Sequence, residues 1–481
     1  MTDTIDEAPI AEAPPTASGP RRLRGSLGVA SIVFIVVAAA SPLGVIGGPV
    51  PLGIASGNGA GFPFTYVIAT AVLLFFAVGF TSATPFVRSA GAFYAYVDKG
   101  LGRVSGLGAA FVALLSYIAL EAGVFGLFGP AVDGVLQSYG VPAIPWWIYA
   151  ALGLAVVSTL GYFRIELSGR VLAVLLIAEV IIVLVLDAVV IFSGGGPEGY
   201  STGIIDPSQI VSGAPGFAVL FAILSFIGFE GTAVFRDEAK NPERTIPRAT
   251  YIALILIGAF YTLSSWVLIS ANGQSTIVAK AGKHAGTILA TTTNEYLGTA
   301  GEHIIQVLFA TSLFACILSF HSFVTRYFFS LSSKGVLPAR LSQPHPKFGS
   351  PSTASLLTAI VVAVLVAVAA LLRLDPINQF YTWLGGISSV GVVLLLVITS
   401  VAIIAIFRRD THSLGRWKTV VAPIIGLVGL LVFLAVILQN LPVLVGEPSY
   451  GPFSYGVLAL LVFAFAAGPV VAHFKKDAEL S

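Results

Sequence analysis

Charged residues are scarce in this chain. Lysine, arginine, aspartate and glutamate make up 10% of its 481 residues, whereas 56% are hydrophobic. Soluble domains carry about 25% charged residues, because a folded soluble surface needs polar cover. The shortage of charge therefore excludes an ordinary soluble domain and predicts an integral membrane protein in a lipid bilayer. The net charge of +2 gives no indication of a nucleic-acid partner.

Cysteine is nearly absent as well. The single Cys316 lies in an apolar segment, which excludes a disulfide within the chain. The sequence also lacks the clusters of cysteine and histidine that suggest a metal site, and no motif in it indicates a cofactor.

The apolar segments are long and uninterrupted, which is typical of membrane helices. Strands of a β-barrel would instead alternate over about ten residues. Windows of about 20 residues predict an all-α protein with about twelve transmembrane helices. They lie at 28–54, 62–82, 104–129, 146–163, 171–193, 216–235, 250–271, 301–328, 352–372, 380–407, 419–439 and 453–473. An even number of spans places both termini on one side of the membrane.

The basic residues indicate which side that is. With the N-terminus in the cytoplasm, only Lys280, Lys283 and Arg373 fall outside, which leaves 22 of the 25 lysines and arginines inside. Cytoplasmic loops of membrane proteins are enriched in these residues. We therefore expect a multi-pass protein of the cytoplasmic membrane with both termini in the cytoplasm.

The two ends of the chain are polar. The first twenty residues contain four acidic residues, four prolines and no basic residue, so we expect residues 1–24 to form a disordered tail. Basic residues at 21–24 before an apolar run are also typical of a signal peptide, but the many later spans favour a membrane helix. Residues 474–481 are expected to form the second cytoplasmic tail.

Two spans contain helix-breaking residues near their middle. The first has SPLGVIGGP at 41–49, and the sixth has GFE at 228–230. They are five spans apart and run in opposite directions, as in an inverted repeat whose broken helices meet at the substrate site. We therefore predict one repeat over 25–193, a second over 216–407, and two additional helices in 419–473.

A broken helix leaves backbone groups without partners where water is scarce. A zwitterionic ligand supplies what they lack, because amides and the helix dipole attract its carboxylate while carbonyls attract its ammonium group. The free amides are expected at 43–48, and the free carbonyls at 39–41 and 226–228. Alternatively, these glycines and prolines only kink the helices for packing.

Four acidic residues lie deep within the predicted spans, and no lysine or arginine lies equally deep. Intramembrane carboxylates usually mark an ion path, a proton relay or a ligand counter-ion. Without a basic partner, each must be protonated, hydrated, near a membrane surface or paired with a cation from outside. The four are Glu121, Glu179, Asp187 and Glu230.

Their positions suggest different roles. Glu179 is the first candidate for proton coupling or for balancing the charge of a cation, with a structural hydrogen bond to the broken first helix as the alternative. Glu121 is the second candidate, and it faces either the substrate site or the bundle interior. Glu230 either accepts hydrogen bonds from freed amides of its own helix or acts as a gate. Asp187 lies near the outer end of its span and is expected to be solvated.

Aromatic residues and one histidine are weaker candidates. Tyr117, Phe226 and Phe229 could form the wall of a substrate pocket, although most aromatic residues in membrane spans serve packing. His321 is more simply interpreted as a structural histidine than as a proton relay.

The segment FIGFE at 226–230, followed by DEAKNPERTIPR at 237–248, resembles the span-6 signature of the amino acid–polyamine–organocation superfamily of transporters. SAGAFYAY at 89–96 and the stretch at 326–351 are also similar to segments of this superfamily. The resemblance implies the leucine-transporter-type fold of two inverted repeats of five helices, with alternating access and secondary transport of amino acids or related amines.

In that superfamily the broken stretches of spans 1 and 6 hold the substrate's backbone groups. The resemblance implies this role for Ser41, Leu43, Gly44, Val45, Phe226, Gly228 and Phe229. Some proton-coupled members place a lysine in span 5 against the first helix. This chain has Glu179 there, which leaves the coupling ion open between proton and sodium. The first break also replaces the commoner glycine-serine-glycine pattern with SPLG.

These observations predict a secondary transporter, either symporter or exchanger, for an amino acid or organic amine, coupled to protons. The excess of deep carboxylates keeps a polyamine or other cationic amine open as the substrate. A nutrient sensor would need a sizeable soluble output domain, and an enzyme would need a catalytic constellation at a membrane face. Neither is evident in the sequence.

Overall fold

A computed structural model describes residues 27–87, 92–163, 169–234, 239–409 and 414–475. The predicted tail at 1–24 lies outside the described residues, as do positions 476–481 of the second tail. The same holds for residues 89–91 and 237–238, which begin two of the motif segments.

The described residues fold almost entirely into helices, which confirms the predicted all-α membrane protein. A helix satisfies its backbone hydrogen bonds internally, as a lipid environment requires. The first eight helices are α1 Val29–Ala40, α2 Pro42–Gly47, α3 Pro49–Gly53, α4 Phe62–Ala83, α5 Ala92–Leu101, α6 Arg103–Ser138, α7 Trp146–Phe163 and α8 Gly169–Phe192. The next eight are α9 Pro207–Ile210, α10 Pro215–Leu224, α11 Gly231–Val234, α12 Pro242–Asn272, α13 Ile277–His284, α14 Ile288–Ser333, α15 Ser352–Leu371 and α16 Thr382–Arg409. The last three are α17 Ala422–Gln439, α18 Leu441–Val445 and α19 Pro452–Phe474.

Eleven helical segments among the described residues are long and apolar enough to cross a membrane. The remaining predicted span, at 216–235, corresponds to α10, which has only ten residues, and to the short α11 after it. The number of membrane segments thus agrees with the prediction of about twelve, and the sixth consists of the two short helices α10 and α11.

Helix α6 forms the centre of the bundle. Its residues from Gly106 to Gly129 are mostly buried, and it packs against α5, α14, α16 and α19. On the other side of the bundle, α12 packs against α4 and α1. Helix α8 lies against α14, α12 and α2. The interrupted segments α1–α2 and α10–α11 therefore lie among long helices.

Candidate functional site

The first helix is interrupted at Ser41. Helix α1 ends at Ala40, Ser41 has a left-handed backbone with φ 51°, and α2 begins at Pro42. Proline suits the first position of a helix, because its missing N–H would have no partner there. The Tyr261 hydroxyl on α12 donates to the Ala40 carbonyl at 3.3 Å. The Ser41 hydroxyl lies 2.8 Å from that of Ser312 on α14, so neighbouring helices hold both sides of the break.

The first turn of α2 also depends on other helices. The Gly44 amide donates to the Ser312 hydroxyl at 3.4 Å, and the Leu43 amide faces the Glu179 carboxyl on α8. First-turn amides have no partner within their own helix. Here, the side chains of Glu179 on α8 and Ser312 on α14 provide the partners that the helix itself lacks.

The sixth membrane segment is interrupted after α10. Between Leu224 and Gly231 the chain follows tight turns, and amides that donate to a carbonyl three residues back are those of Phe226, Ile227, Phe229 and Gly231. The Phe229 amide donates to the Phe226 carbonyl at 3.2 Å, and the Gly231 amide donates to the Gly228 carbonyl at 2.9 Å. The carbonyls of Phe226 and Gly228 were expected to be free, so that expectation is wrong for this conformation. Each carbonyl oxygen nevertheless keeps a second lone pair.

Gly228, in the second interruption, lies close to the end of α1. Its φ is 114°, a conformation that other residues rarely adopt. A β-carbon built on Gly228 would lie 3.7 Å from the Ala39 β-carbon and 4.0 Å from the Ala40 amide nitrogen. The breaks in α1–α2 and α10–α11, distant in sequence, therefore lie against each other.

A small cavity lies beside the first break. Its volume is about 30 Å³, far below the roughly 300 Å³ and more that small-molecule sites have. Helices α1, α2, α6 and α14 supply most of its walls. It is lined by Ala39, Ala40, Ser41, Gly44, Val45, Pro49, Leu120, Val124, Leu127, Leu224, Ile227, Leu313, Cys316, Phe320 and Tyr381. Its lining side chains are almost all apolar, and none is an acid or a base.

The predicted substrate residues divide into two groups. Ser41, Gly44 and Val45 line the cavity. Leu43 is buried beside it, and Gly228 lies near Ala39 without lining it. Neither Phe226, Phe229 nor Tyr117 belongs to the cavity lining.

The two phenylalanines of the second break point into aromatic clusters. Phe226 packs against Tyr66 and Tyr261, and Phe229 packs edge-on against Phe76. Both phenylalanines are almost fully buried. In this conformation their packing fixes the turn after α10, and Ile227 is the residue between them that reaches the cavity.

Glu230 connects the second break to α6. One carboxylate oxygen accepts the Tyr117 hydroxyl at 2.5 Å, and the other accepts the Gly228 amide at 2.9 Å. Of the two alternatives for Glu230, hydrogen bonding to a freed amide of its own segment is therefore present. The carboxylate also ties the interrupted segment to the central helix, so any movement between them must break or carry along this contact.

Glu179 lies deep in the bundle against the first break. The residue is 5% exposed, and its carboxyl faces the Ser312 hydroxyl and the Leu43 amide. One of its oxygens, Oε2, has no hydrogen-bond partner. An unpartnered buried carboxylate oxygen beside the interruption can take up a proton or a cation.

Glu121 has a partner that the sequence reasoning did not identify. Its Oε1 lies 2.8 Å from Nδ1 of His321 on α14, and Nε2 of the same ring lies 2.9 Å from the Ser355 hydroxyl. The expectation that no deep carboxylate has a basic partner rested on the absence of deep lysine and arginine, and it is wrong for Glu121, whose partner is a histidine. The carboxyl faces α14 and α15, in the bundle interior.

Asp187 is buried, so the expectation that it is solvated is wrong. It is 3% exposed and accepts the Ser264 hydroxyl of α12 at 2.6 Å. Position along the helix suggested solvent, but α12 covers this face of α8. Only the packing of the two helices determines the environment of the carboxyl group.

Sequence reasoning also missed Ser312 and the apolar walls of the cavity. Ser312 contacts Ser41 and Gly44 and lies beside Glu179, yet a single serine in an apolar helix has no distinctive pattern. Leu120, Val124 and Leu127 follow helical spacing along α6, which equally suits any buried face. Among the described residues, no group of three or more histidine, cysteine, aspartate or glutamate side chains is placed to bind a metal ion.

Comparison with known proteins gives consistent matches. The model of the family described as amino acid permease matches residues 27–465. The chain is 22% identical over 345 residues to the low-affinity putrescine importer PlaP of Escherichia coli (strain K12), covering 69% of this chain and 72% of the relative. It is 24% identical over 286 residues to the aromatic amino acid transport protein AroP of the same organism, covering 58% and 60%.

The match to the branched-chain amino acid permease BcaP of Bacillus subtilis (strain 168) is longer. It is 22% identical over 453 residues, covering 88% of this chain and 89% of the relative. These relatives support a transporter rather than an enzyme. Because the family model spans most of the chain, and the helices are those of a multi-pass membrane protein, the chain belongs to the amino acid permease family.

Proposed function

We propose that this protein is a secondary transporter for a neutral amino acid with a small apolar side chain, driven by protons across the cytoplasmic membrane. The observation that supports it best is the meeting of two interrupted membrane segments beside a cavity with apolar walls. The interruptions offer backbone groups to the parts that all amino acids share, and the walls contact the part in which they differ.

The backbone groups of the substrate are assigned to the first break. The first turn of α2 presents the positive end of a helix dipole to the carboxylate. The amides of Leu43 and Gly44, which here face Glu179 and donate to Ser312, exchange those partners for the carboxylate when substrate binds. The carbonyls at 39–41, where α1 ends, are assigned to the ammonium group. Those of Ala40 and Ser41 already accept the Tyr261 hydroxyl and the Val45 amide, so each offers its second lone pair. The Phe226 and Gly228 carbonyls, which already accept amides, offer their second lone pairs.

The side-chain preference follows from the cavity walls. Valine and leucine side chains on α2 and α6 favour an apolar group, because a charged or polar one would lose water without gaining a partner. Relatives named for branched-chain and aromatic amino acids are consistent with this preference. The small volume requires that the walls move apart to admit any substrate.

Alternating access supplies that movement. We infer that the two repeats, 25–193 and 216–407, form the leucine-transporter-type arrangement, with both termini in the cytoplasm. Spans 1, 2, 6 and 7 would then rock against the remaining helices. The contact between Glu230 and Tyr117 crosses from the sixth segment to α6, so Glu230 fits the role of a gate between the two bodies.

Glu179 is the proposed coupling residue, with Glu121 as the second candidate. Its carboxyl faces the Leu43 amide at the substrate site, so protonation changes the charge next to the bound carboxylate. Loading a proton removes a repulsion and favours substrate binding, which links the two events. Sodium paired with the same carboxylate is the alternative that experiments must separate.

The test compares Glu179→Gln with wild-type protein in liposomes. We expect the variant to lose uptake of labelled L-valine driven by a proton gradient, while exchange of L-valine across the membrane persists. Glu243→Gln, on the exposed first turn of α12, is the matched control and should behave as wild type. Uptake by Glu179→Gln at the wild-type rate under a proton gradient would contradict the assignment. Uptake that is stimulated by a sodium gradient and not by a proton gradient would identify sodium as the coupling ion.

A polyamine or other cationic amine is the second candidate substrate. The putrescine importer among the relatives favours it. The deep carboxylates at Glu121 and Glu230 are bonded to His321 and Tyr117, however, and neither lines the cavity. Competition of labelled L-valine uptake by putrescine, and thermal shifts with amino acids or amines with and without sodium, distinguish the two classes.

A further inference from the structure

We propose that Asp187 is a second proton-binding site, which lies between the outer membrane surface and Glu179 and delivers protons to it. The inference rests on the proposed function, in which protonation of Glu179 drives transport. It concerns a residue that is not part of the substrate cavity.

The two carboxyl groups lie on one face of α8. Glu179, Val183 and Asp187 are spaced four residues apart, and all three are at most 5% exposed. Eight residues of helix separate the carboxyl-bearing positions by about 12 Å along the axis. The distance along the axis from Asp187 to the helix end at Phe192 is only about 8 Å. In the proposed orientation that end is the outer one, so Asp187 is the first of the two that an entering proton meets.

The surroundings of Asp187 favour a proton site over a fixed charge. Helix α8 packs against α1, α2, α12 and α14. From these helices, the Ser264 hydroxyl contacts Asp187. Near Glu179, the titratable groups are Tyr261 and Cys316. The groups described around these two carboxyls include no lysine, arginine or histidine. A membrane carboxylate without a base is costly in its charged form, and such residues typically serve ion or proton paths.

Helix α12 connects the two sites. Ser264 contacts Asp187, and Tyr261, about one turn away on the same helix, lies near Glu179 and bonds the Ala40 carbonyl. Hydroxyl groups both donate and accept hydrogen bonds, so they can pass a proton along. In the transfer, an O–H bond breaks at Asp187 and an O–H bond forms at Glu179. A proton from the acidic outer solution then restores the Asp187 carboxyl.

Infrared titration of the purified full-length protein tests the proton site without any substrate. We expect the carbonyl band of a protonated carboxyl group to disappear in Asp187→Asn, and a different band to disappear in Glu179→Gln. After a rapid drop in pH, the Glu179 band should develop more slowly in Asp187→Asn than in the wild type. Asp187→Glu should restore the fast rate. Unchanged bands and rates in Asp187→Asn would overturn the proposal.

Transport in liposomes provides the second readout. Asp187→Asn should slow proton-driven uptake of labelled L-valine by about a hundredfold, the lower end of what a positioned proton-transfer group contributes. Exchange of L-valine, which needs no net proton movement, should change less than twofold. Equal loss of both activities would mean a structural role and overturn the proposal. Absence of proton-driven uptake in the wild type would refute the proposed function, while the infrared bands would still decide whether Asp187 binds protons.

Discussion

The Ser312 hydroxyl lies 2.8 Å from the Ser41 hydroxyl, although 271 positions separate the two residues in the sequence. The same hydroxyl accepts a hydrogen bond from the Gly44 amide, and the Glu179 carboxyl lies beside it. A single side chain on α14 therefore touches the interruption of the first helix and the proposed coupling residue.

Replacing Ser312 with alanine should weaken substrate binding. Each hydrogen bond contributes about 1 kcal/mol net, so the loss at Ser41 and Gly44 should raise the KM for L-valine about tenfold or more. Ser319→Ala is the control, because its hydroxyl bonds only the carbonyl one turn back on the same helix. Uptake kinetics in liposomes measure both variants, and equal KM values would contradict the role of Ser312.

The pair of Glu121 and His321 should be coupled energetically. Replacing either residue by leucine leaves a buried polar partner unsatisfied, which costs about 1–3 kcal/mol. The double replacement removes both polar groups and should destabilise less than the sum of the single variants. Melting temperatures of the four proteins in detergent give the coupling, and purely additive changes would show that the contact contributes nothing.

Glu230 and Glu179 should respond differently to neutralisation. Glu230→Gln weakens the bonds to Tyr117 and Gly228 that shape the second break, so exchange and proton-driven uptake of L-valine should fall together. Glu179→Gln should impair only the proton-driven process. Tyr117→Phe removes one of the two bonds and should give a smaller effect in the same direction as Glu230→Gln. Normal exchange in Glu230→Gln would argue against a gating role.

Gly228 should not tolerate a side chain. Its φ of 114° is strained for any other residue, and such backbone strain costs about 1–3 kcal/mol. Gly228→Ala should therefore lower the melting temperature and the rate of exchange. Gly134→Ala is the control, because it lies in α6 with open space around its β-carbon position. If both variants melt at the same temperature as the wild type, the strain argument fails.

The Glu447 carboxyl should make stability depend on pH. It lies in the loop before α19, where the Ser454 hydroxyl and the amides of Ser454, Phe453 and Gly451 donate to it. These bonds hold the pKa of Glu447 below its usual range. A carboxyl group with a lowered folded-state pKa stabilises the folded protein at pH values above its unfolded-state pKa of about 4.3. This stabilisation is lost as the pH falls through the folded-state pKa.

The comparison variant is Glu447→Gln. Its melting temperature should lie below that of the wild type at pH 7, and the difference should shrink as the pH falls below about 4.3. Glu295→Gln, on an exposed position of α14, should show no such trend. A difference that is the same at every pH would mean that the charge of Glu447 contributes nothing.

Several features could be predicted from local sequence. The scarcity of charge and the hydropathy of the chain predict a membrane protein and the number of its membrane segments. The two interruptions at Ser41 and Gly228 follow from residues whose backbone preferences act locally. Proline lacks an amide and glycine tolerates a positive φ wherever they occur. For the same reason, the position of each break could be predicted without knowing its neighbours.

The environment of each deep carboxyl group was not predictable in this way. Glu121 differs from Asp187 because α14 brings His321 to one and α12 brings Ser264 to the other. Their partners lie 200 and 77 positions away in the sequence, and hydropathy carries no information about which faces meet. The apolar cavity walls around Val45 and Leu120 could not be predicted from the sequence either, because leucine and valine are common in membrane helices.

Local sequence was enough to predict a helical membrane protein with two broken segments, because both properties depend on the backbone and its immediate side chains. That the two breaks lie together at Gly228 and Ala39 could be read only from the folded structure, as could the contact of Ser312 with Ser41 beside Glu179. Those contacts depend on how long helices pack, and packing is set by the combined shape of surfaces that no single segment contains.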